Sequence, residues 1–316
     1  MAARLSTVSV VVPVFNERES VRPLTGELLA ALRGAGREVE IIFVDDGSPD
    51  GTAEVLAAIV AAEPEVMTVR LRRNFGKAEA LMAGFRAARG EAVVTIDGDL
   101  QDDPAEIPAL IARLEAGADL VSGWKRDRRD PFGKRAASKV FNGVTRRVTG
   151  LEMHDLNCGL KAYRAEVVGS LALTGDLYRY IPVLAAAEGF RVEEMPVNHR
   201  PRQYGRSKYG FERYVRGFLD LLTITFIGRY RHRPMHLFGG MGLLSLMAGT
   251  LICVYLAVLW FFGEGIGQRP LLLLGVLLIV VGIQLFTIGL VSEMLQRYHV
   301  RSQSDEARAR VERVLR

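Results

Sequence analysis

The sequence predicts an open α/β domain, a mostly parallel sheet with helices on both faces, followed by a pair of membrane-crossing helices. Three observations carry this expectation. Between Val8 and Gly123 short apolar runs alternate with amphipathic stretches, the β-α-β-α rhythm of a parallel sheet covered on both sides. Residues 235–262 and 271–292 contain no Asp, Glu, Lys or Arg, and each run reaches the roughly 20 apolar residues that span a bilayer. Finally, three of the strand-like runs end in acidic motifs, which in such a sheet gather beyond the strand ends to form one ligand crevice.

In chain order, strands are expected at Val8 to Val14, Val39 to Val44, Val66 to Leu71, Ala92 to Ile96 and Leu120 to Gly123. Helices are expected near Glu17 to Leu32, Thr52 to Ala62, Lys77 to Arg89 and Pro104 to Glu115. The rhythm breaks at the basic, polar run Arg126 to Pro131, read as a surface crossing, and a helix near Ala136 to Val148 follows. Strand-like Arg191 to Asn198 opens onto Arg200 to Lys208, a basic loop punctuated by Gly and Pro. From Phe211 to Ile227 apolar residues recur at helical spacing among charged ones, an amphipathic helix suited to the membrane interface.

The chemistry concentrates at the strand ends. Asp97, Asp99 and Gln101 alternate along what reads as extended chain, so their side chains fall on one side. Two carboxylates and an amide are hard oxygen donors that suit Mg2+ or Mn2+ with positions left for phosphate oxygens. The other acidic ends are Val12-Pro13-Val14-Phe15-Asn16-Glu17 and Val44-Asp45-Asp46-Gly47-Ser48. No Gly-x-Gly-x-x-Gly and no Gly-x4-Gly-Lys-Ser/Thr stands at a strand-to-helix junction, which excludes the two commonest glycine-loop phosphate cradles.

Charge and hydropathy bound the partners. The chain of 316 residues carries a formal charge of +5. It lacks a basic helix or an aromatic RNA-binding signature, so anionic lipid and phosphate are the expected partners and nucleic acid is not. Mean hydropathy is +0.14, and the excess sits in the two apolar runs. Arg229, Arg231 and Arg233 precede the first run and Arg297 and Arg301 follow the second, while the loop between holds only Glu264 and Arg269. By the positive-inside rule both flanks, and with them the N-terminal domain and both termini, face the cytoplasm. The N-terminus leads straight into a strand without a signal-peptide apolar core. Cys158 and Cys253 fall in different compartments of this topology and are expected to be free thiols.

These motifs together resemble family 2 inverting glycosyltransferases of the GT-A fold, and among them the polyprenyl-phosphate glycosyltransferases, the group of dolichol-phosphate mannose synthase and bacterial undecaprenyl-phosphate glucosyltransferases. The likeness runs from about Val8 to Lys208, and the two C-terminal spans match the bacterial membrane-anchored branch. The resemblance implies that Pro13, Phe15, Glu17 and Asp45 contact base and ribose, with Asp46 and Ser48 shaping the turn. It implies that Lys77, in the basic helix-opening loop Arg73 to Lys77, and Gly98 belong to the donor site, and that Asp97, Asp99 and Gln101 hold the metal and sugar diphosphate. Asp155 to Lys161 is similar to the acceptor-side segment, with Cys158 where Ser or Thr is usual. Arg202, Ser207 and Lys208 are similar to the loop that closes on the phosphates, and Arg126 opens a basic stretch placed to guide the lipid phosphate.

The implied reaction is transfer of a hexose, with UDP-glucose or GDP-mannose as the first donors to try, to undecaprenyl or dolichyl phosphate with inversion. Asp97, Asp99, Asp155, Arg202 and Lys208 are the expected catalytic set. A phosphate monoester has a second pKa of about 6, so the acceptor oxygen is already mostly an anion and Asp155 need only orient it. The family likeness also implies a homo-oligomer, a tetramer, in the inner membrane. The expected domains are a catalytic domain over residues 1–209, a juxtamembrane helix over 210–233, the hairpin over 234–295 and a tail over 296–316. Two alternatives stay open: a processive polysaccharide synthase, against which stands the absence of a Gln-x-x-Arg-Trp segment, and a non-catalytic sugar-nucleotide-binding membrane protein.

Overall fold

The computed structural model describes residues 4–34, 36–125, 151, 153–200, 234–263, 265, 270–306 and 311–315. Arg126, Arg202, Ser207, Lys208, the helix expected near Ala136 to Val148 and the amphipathic stretch Phe211 to Ile227 lie outside them. The chain divides into two compact units, one of Met1–Ile224 with Asp305–Arg316 and one of Thr225–Ser304.

The first unit is built on an eight-stranded sheet. Its strands are β1 (Thr7–Val14), β2 (Glu38–Asp45), β3 (Val66–Leu71), β4 (Ala92–Thr95), β5 (Leu120–Lys125), β6 (Lys161–Arg164), β7 (Val192–Val197) and β8 (Val311–Leu315), in the order β7-β5-β6-β4-β1-β2-β3-β8. The β1–β2, β1–β4, β2–β3 and β5–β7 pairs are parallel, whereas β6 runs antiparallel between β4 and β5 and β8 antiparallel along β3. Val8, Val10, Val11, Val12 and Val14 of β1 are all buried, as the central strand of a sheet covered on both faces requires. The covering helices are α1 (Val21–Leu32), α2 (Thr52–Ala62), α3 (Lys77–Ala87) and α4 (Ile107–Ala116). In α1 the buried residues Val21, Leu24, Thr25, Leu28, Leu29 and Leu32 repeat at three and four, so one stripe faces the sheet. Each fully buried Leu of this kind contributes roughly 1.5–3 kcal/mol. The short helices α5 (Ala165–Ser170) and α6 (Ile181–Ala187) flank a 3-10 stretch at Gly175–Tyr180.

The main differences from the sequence reading follow from length and pairing. Lys161–Arg164 is four residues long and is a strand only because two neighbours hold it, so no periodicity reveals it. The helix expected from Pro104 begins as a 3-10 turn, Pro104–Glu106, capped by the Asp103 side chain, which accepts from the Ala105 N–H at 3.1 Å. The last residues, read as a tail, continue the final helix to Glu306 and then supply β8.

The second unit is a helical pair, α7 (Pro234–Phe261) and α8 (Pro270–Glu306). Met235–Phe261 and Pro270–Leu295 are long and apolar enough to cross a membrane, and they are mostly not buried within the protein. Small residues let the two backbones approach. A β-carbon at Gly249 would lie 2.6 Å from the Gly275 carbonyl oxygen, and one at Gly282 would lie 2.7 Å from the Leu246 nitrogen. The Ser245 hydroxyl donates across the pair to the Leu278 carbonyl at 2.8 Å.

Candidate active site

Three loops at the carboxyl ends of β1, β2 and β4 meet where the chain turns to opposite sides of the sheet, the position at which open α/β sheets bind ligands. After β1 the chain turns through Asn16 (φ 59°), pinned by the Asn16 N–H donating to the Ser48 hydroxyl at 2.9 Å and the Glu17 N–H donating to the Thr52 hydroxyl at 3.1 Å. Glu17 accepts from the Ser20 hydroxyl at 2.7 Å, and Phe15 stands 40 % exposed beside it. Pro13, near the end of β1, directs its carbonyl toward Gly98, where a β-carbon would come within 3.4 Å of it and within 2.7 Å of Val14. Gly98 therefore lets the first and fourth strand ends close on each other.

At the end of β2, Asp45 is buried and accepts from the Ser48 N–H at 2.9 Å, and its other oxygen lies 3.6 Å from the Arg70 guanidinium. Its neighbour Asp46 accepts from the Phe75 and Gly76 N–H groups, both at 2.8 Å, and so fixes the start of α3. Burial pushes the Asp46 carboxyl above its ordinary value, with the two amide bonds acting against the shift.

At the first turn of α3, Lys77 reaches the Asp97 carboxylate at 2.5 Å and lies 5.3 Å from the centroid of the Tyr178 ring. Burial works against its charge, but the Asp97 carboxylate outweighs it and holds the ammonium above the ordinary lysine value. Beyond Asp97 the expected extended segment is absent. β4 stops at Thr95, residues 98–100 turn, and Leu100 takes a left-handed conformation (φ 62°) with its side chain buried. Asp97, Asp99 and Gln101 are thus presented around a turn rather than at alternate positions of a strand, and the Asp99 carboxylate accepts from the Gln101 N–H at 3.3 Å. Burial of Leu100 is what overrides the simple period of two.

The segment after Asp155 comes to the same place. Asp155 is mostly buried, accepts from the Asn157 N–H at 3.0 Å and donates its own N–H to Glu194 at 2.7 Å. Glu194 also meets the His154 ring, which stacks on Trp124 at 4.2 Å between centroids. Four residues on, a β-carbon at Gly159 would lie 2.5 Å from the Asp97 carboxyl carbon, so the glycine is what allows this carboxylate its position. The Thr95 hydroxyl donates to the Gly159 carbonyl at 2.9 Å and clamps the contact. Lys77, Asp97, Asn157, Gly159, Lys161, Tyr178 and Arg179 line one small open pocket.

Several charged residues at the site carry no signal in the sequence reading. Asp102 is buried 2.7 Å from the Lys125 ammonium and 3.7 Å from His199 Nδ1. Burial alone would raise its carboxyl, but His199 and Lys125 outweigh that and hold it at about 2. Arg200 donates its N–H to the Gln101 carbonyl at 2.8 Å and pairs with Asp103 at 2.8 Å and Glu27 at 2.6 Å. Asp102 directly follows Gln101 in the acidic run, and that adjacency was the available clue; its partners lie too far along the chain for spacing to reveal them. Lys161 closes a motif that the sequence reading quotes, but its burial beside Asp97 needs the fold.

The two carboxylates and the amide at Asp97, Asp99 and Gln101 are hard oxygen donors of the type that Mg2+ and Mn2+ take, with the Asp97 carboxylate paired to Lys77. Gly159 leaves the Asp97 carboxylate room, and among the described residues no group of three or more His, Cys, Asp or Glu side chains is placed to hold a metal ion by itself. An ion held by few protein oxygens keeps positions for phosphate, as Mg2+ and Mn2+ commonly do.

Residues 9–171 match glycosyl transferase family 2. The chain belongs to that family. It is 40 % identical over 303 residues to the dodecaprenyl-phosphate galacturonate synthase of Rhizobium johnstonii (strain DSM 114642 / LMG 32736 / 3841), covering 94 % of this chain and 90 % of that protein. Among solved structures, glucosyl-3-phosphoglycerate synthase from Mycobacterium tuberculosis with Mn2+, UDP-glucose and phosphoglyceric acid superposes with a TM-score of 0.54 at 22 % identity, over 70 % of this chain and 79 % of that one. The same enzyme with Mn2+ and UDP-glucose alone gives 0.53 at 21 % identity, over 71 % and 79 %. The family 2 domain here therefore has the GT-A fold, with the two apolar helices following it.

Proposed function

We propose that this family 2 protein transfers one sugar from a nucleoside diphosphate donor to a polyprenyl phosphate, with inversion, at the cytoplasmic face of the inner membrane. The observation that carries the reading is the packing of Gly159 on Asp97, which joins the acceptor-side segment to the acidic donor-side turn. The relative in Rhizobium johnstonii, named for a dodecaprenyl phosphate product, supports a lipid phosphate acceptor, and the two apolar helices support delivery from a membrane.

In this reading Pro13, Phe15, Glu17 and Asp45 receive base and ribose. Asp97, Asp99 and Gln101 would hold Mg2+ or Mn2+, which when bound neutralises the departing diphosphate. Arg202 and Lys208 would close on the phosphates, and Arg126 would guide the lipid headgroup. An acceptor phosphate oxygen forms the new bond to the anomeric carbon as the bond to the diphosphate breaks on the opposite face. Because that oxygen is already an anion at neutral pH, no proton has to be removed, and Asp155 orients rather than deprotonates.

The test is a donor panel offered with polyprenyl phosphate and Mg2+ or Mn2+ to the full-length protein in lipid, with the lipid product identified by mass. A glycosylated polyprenyl phosphate is expected, and its absence with every donor overturns the proposal. Asp99→Ala should abolish transfer and weaken Mn2+ binding, followed by electron paramagnetic resonance, while the melting temperature stays near wild type. Near-native turnover in the folded variant would remove Asp99 from the metal site.

A further inference from the structure

The segment from His154 to Gly159 is pinned at both ends. Gly159 packs on Asp97, and at the other end the anchor comes from β7. The Glu194 carboxylate, only 8 % exposed, accepts the Asp155 N–H at 2.7 Å and the His154 N–H at 2.9 Å, and lies 2.8 Å from His154 Nδ1. Amide hydrogen bonds to an ionised carboxylate are roughly twice as strong as neutral ones, and two of them on adjacent residues fix the direction of the chain as well as its place. Glu194 is itself held in register with the buried Ser122 of β5, and two residues along β5 the Trp124 ring stacks on the His154 ring at 4.2 Å. Two neighbouring strands thus grip the start of the segment. What they deliver is Asp155, whose carboxylate accepts the Asn157 N–H at 3.0 Å and acts through its charge on Lys161. Asn157 and Lys161 both line the pocket beside Asp97.

We infer that Glu194 is a positioning residue for the acceptor, which by holding the backbone at His154 and Asp155 sets where the Asp155 carboxylate stands relative to the lipid phosphate. The inference rests on the transferase reading and deepens it. Glu194 acts through Asp155, 39 residues before it in the chain, and its effect is expected on the acceptor side. Pro13, Phe15, Glu17 and Asp45 stand at the ends of β1 and β2, and β5, β6 and β4 lie between β7 and β1 in the sheet. A change at Glu194 therefore leaves the nucleotide side in place. A residue that merely held the core together would give another pattern, a loss of stability in which both affinities fall together.

The experiment reads three quantities on the full-length protein in detergent: equilibrium binding of radiolabelled undecaprenyl phosphate, kcat/KM for the same lipid, and calorimetric affinity for UDP and GDP with Mg2+. Glu194→Ala should weaken lipid binding and lower kcat/KM by at least about 10-fold, short of the roughly 100-fold that a 1 Å misplacement costs, with nucleotide affinity within about twofold of wild type. Glu194→Gln keeps an oxygen for the two amides and should recover most of the loss. His154→Ala removes the ring but leaves both N–H donors, and should stay near wild type. If Glu194→Ala does not fold, Glu194→Asp, which draws the carboxylate back by one methylene, should show the same selective loss. Unchanged lipid binding in the folded alanine variant overturns the inference, as does a parallel fall in lipid and nucleotide affinity. A glutamine variant no better than alanine overturns it too, and so does a His154→Ala loss as large as that of Glu194→Ala, which would give the anchoring to the ring. Wild-type protein that binds no undecaprenyl phosphate removes this inference and the transferase reading together. Lipid binding that depends on Glu194 while no glycosyl lipid forms with any donor removes the transferase reading and leaves the positioning role standing.

Discussion

Gly159 is the residue on which the two halves of the site depend, because any β-carbon there would stand 2.5 Å from the Asp97 carboxyl carbon. Gly159→Ala must push the carboxylate aside, and a misplacement of about 1 Å in reacting geometry costs on the order of 100-fold in rate. The variant should therefore lose transfer by about that factor while overpacking costs the fold only about 1–3 kcal/mol. Steady-state rates with denaturant melts check both numbers, and a native rate would show that Asp97 tolerates displacement. The neighbouring Cys158 behaves oppositely, as a residue of the core. Fully buried, its thiol is pushed up to about 12, chiefly by loss of solvation. Since the thiolate is the nucleophile, Cys158 should resist alkylation at pH 8 in the folded protein and react once it unfolds. The unfolded thiol titrates near 8.5, so between about 8.5 and about 12 the unfolded chain binds fewer protons and this contribution to stability declines as pH rises. Cys158→Ala should show a flatter decline over the accessible part of that range, and identical slopes would contradict the assignment. Residue types at this scale were legible from the sequence, since Asp97, Asp99 and the Asp155 to Lys161 segment stand out by motif. Their geometry was not: a left-handed Leu100 turns a segment that local spacing reads as extended.

Elements with strong local period were read nearly to the residue, as α2 at Thr52–Ala62 and β3 at Val66–Leu71 show. Those defined by distant partners were missed, β6 above all, because a strand of four residues is made by its neighbours. The same dependence on distant partners governs the junction of the acidic turn with β5 and β7. Asp102 leads out of the turn, Lys125 ends β5, and His199 follows β7, all drawn together by a buried ion pair at 2.7 Å and an isolated bridge between Asp102 and His199. Removing one member of such a pair typically costs about 3–5 kcal/mol, whereas replacing both partners with apolar residues is often neutral. Asp102→Asn should destabilise by that amount. Asp102→Leu with Lys125→Met should recover most of the loss without restoring transfer, because the turn bearing Gln101 would no longer be anchored. Denaturant unfolding and product formation, measured on the same three variants, decide this. Full activity in the double variant would make the pair a matter of stability alone.

At the scale of the whole molecule, a family 2 catalytic unit and an apolar helical pair divide the labour of a reaction whose acceptor is proposed to be a lipid phosphate. The helical pair announces itself because charge is absent over lengths that core helices seldom sustain, and its inner surface is made of glycines that admit close backbone contact. The arginines alone carry the expectation for its orientation. Arg229, Arg231 and Arg233 precede the first span and Arg297 and Arg301 follow the second, against a single Arg269 in the connecting loop. Positive residues near the ends of spans are retained on the cytoplasmic side, so both flanks should lie there and the loop should emerge on the opposite face. The same side is where a nucleotide sugar is available to the catalytic unit, so the charge pattern and the proposed chemistry demand one topology. Substituting Gln268→Cys in a chain that also carries Cys158→Ala and Cys253→Ala places a single thiol in the loop. In sealed right-side-out membrane vesicles an impermeant maleimide should label it without lysis, whereas a single thiol at Ser302, beyond the second span, should react only after lysis. Labelling of Ser302→Cys in intact vesicles, or protection of Gln268→Cys, would reverse the topology and leave the catalytic unit on the side away from its donor.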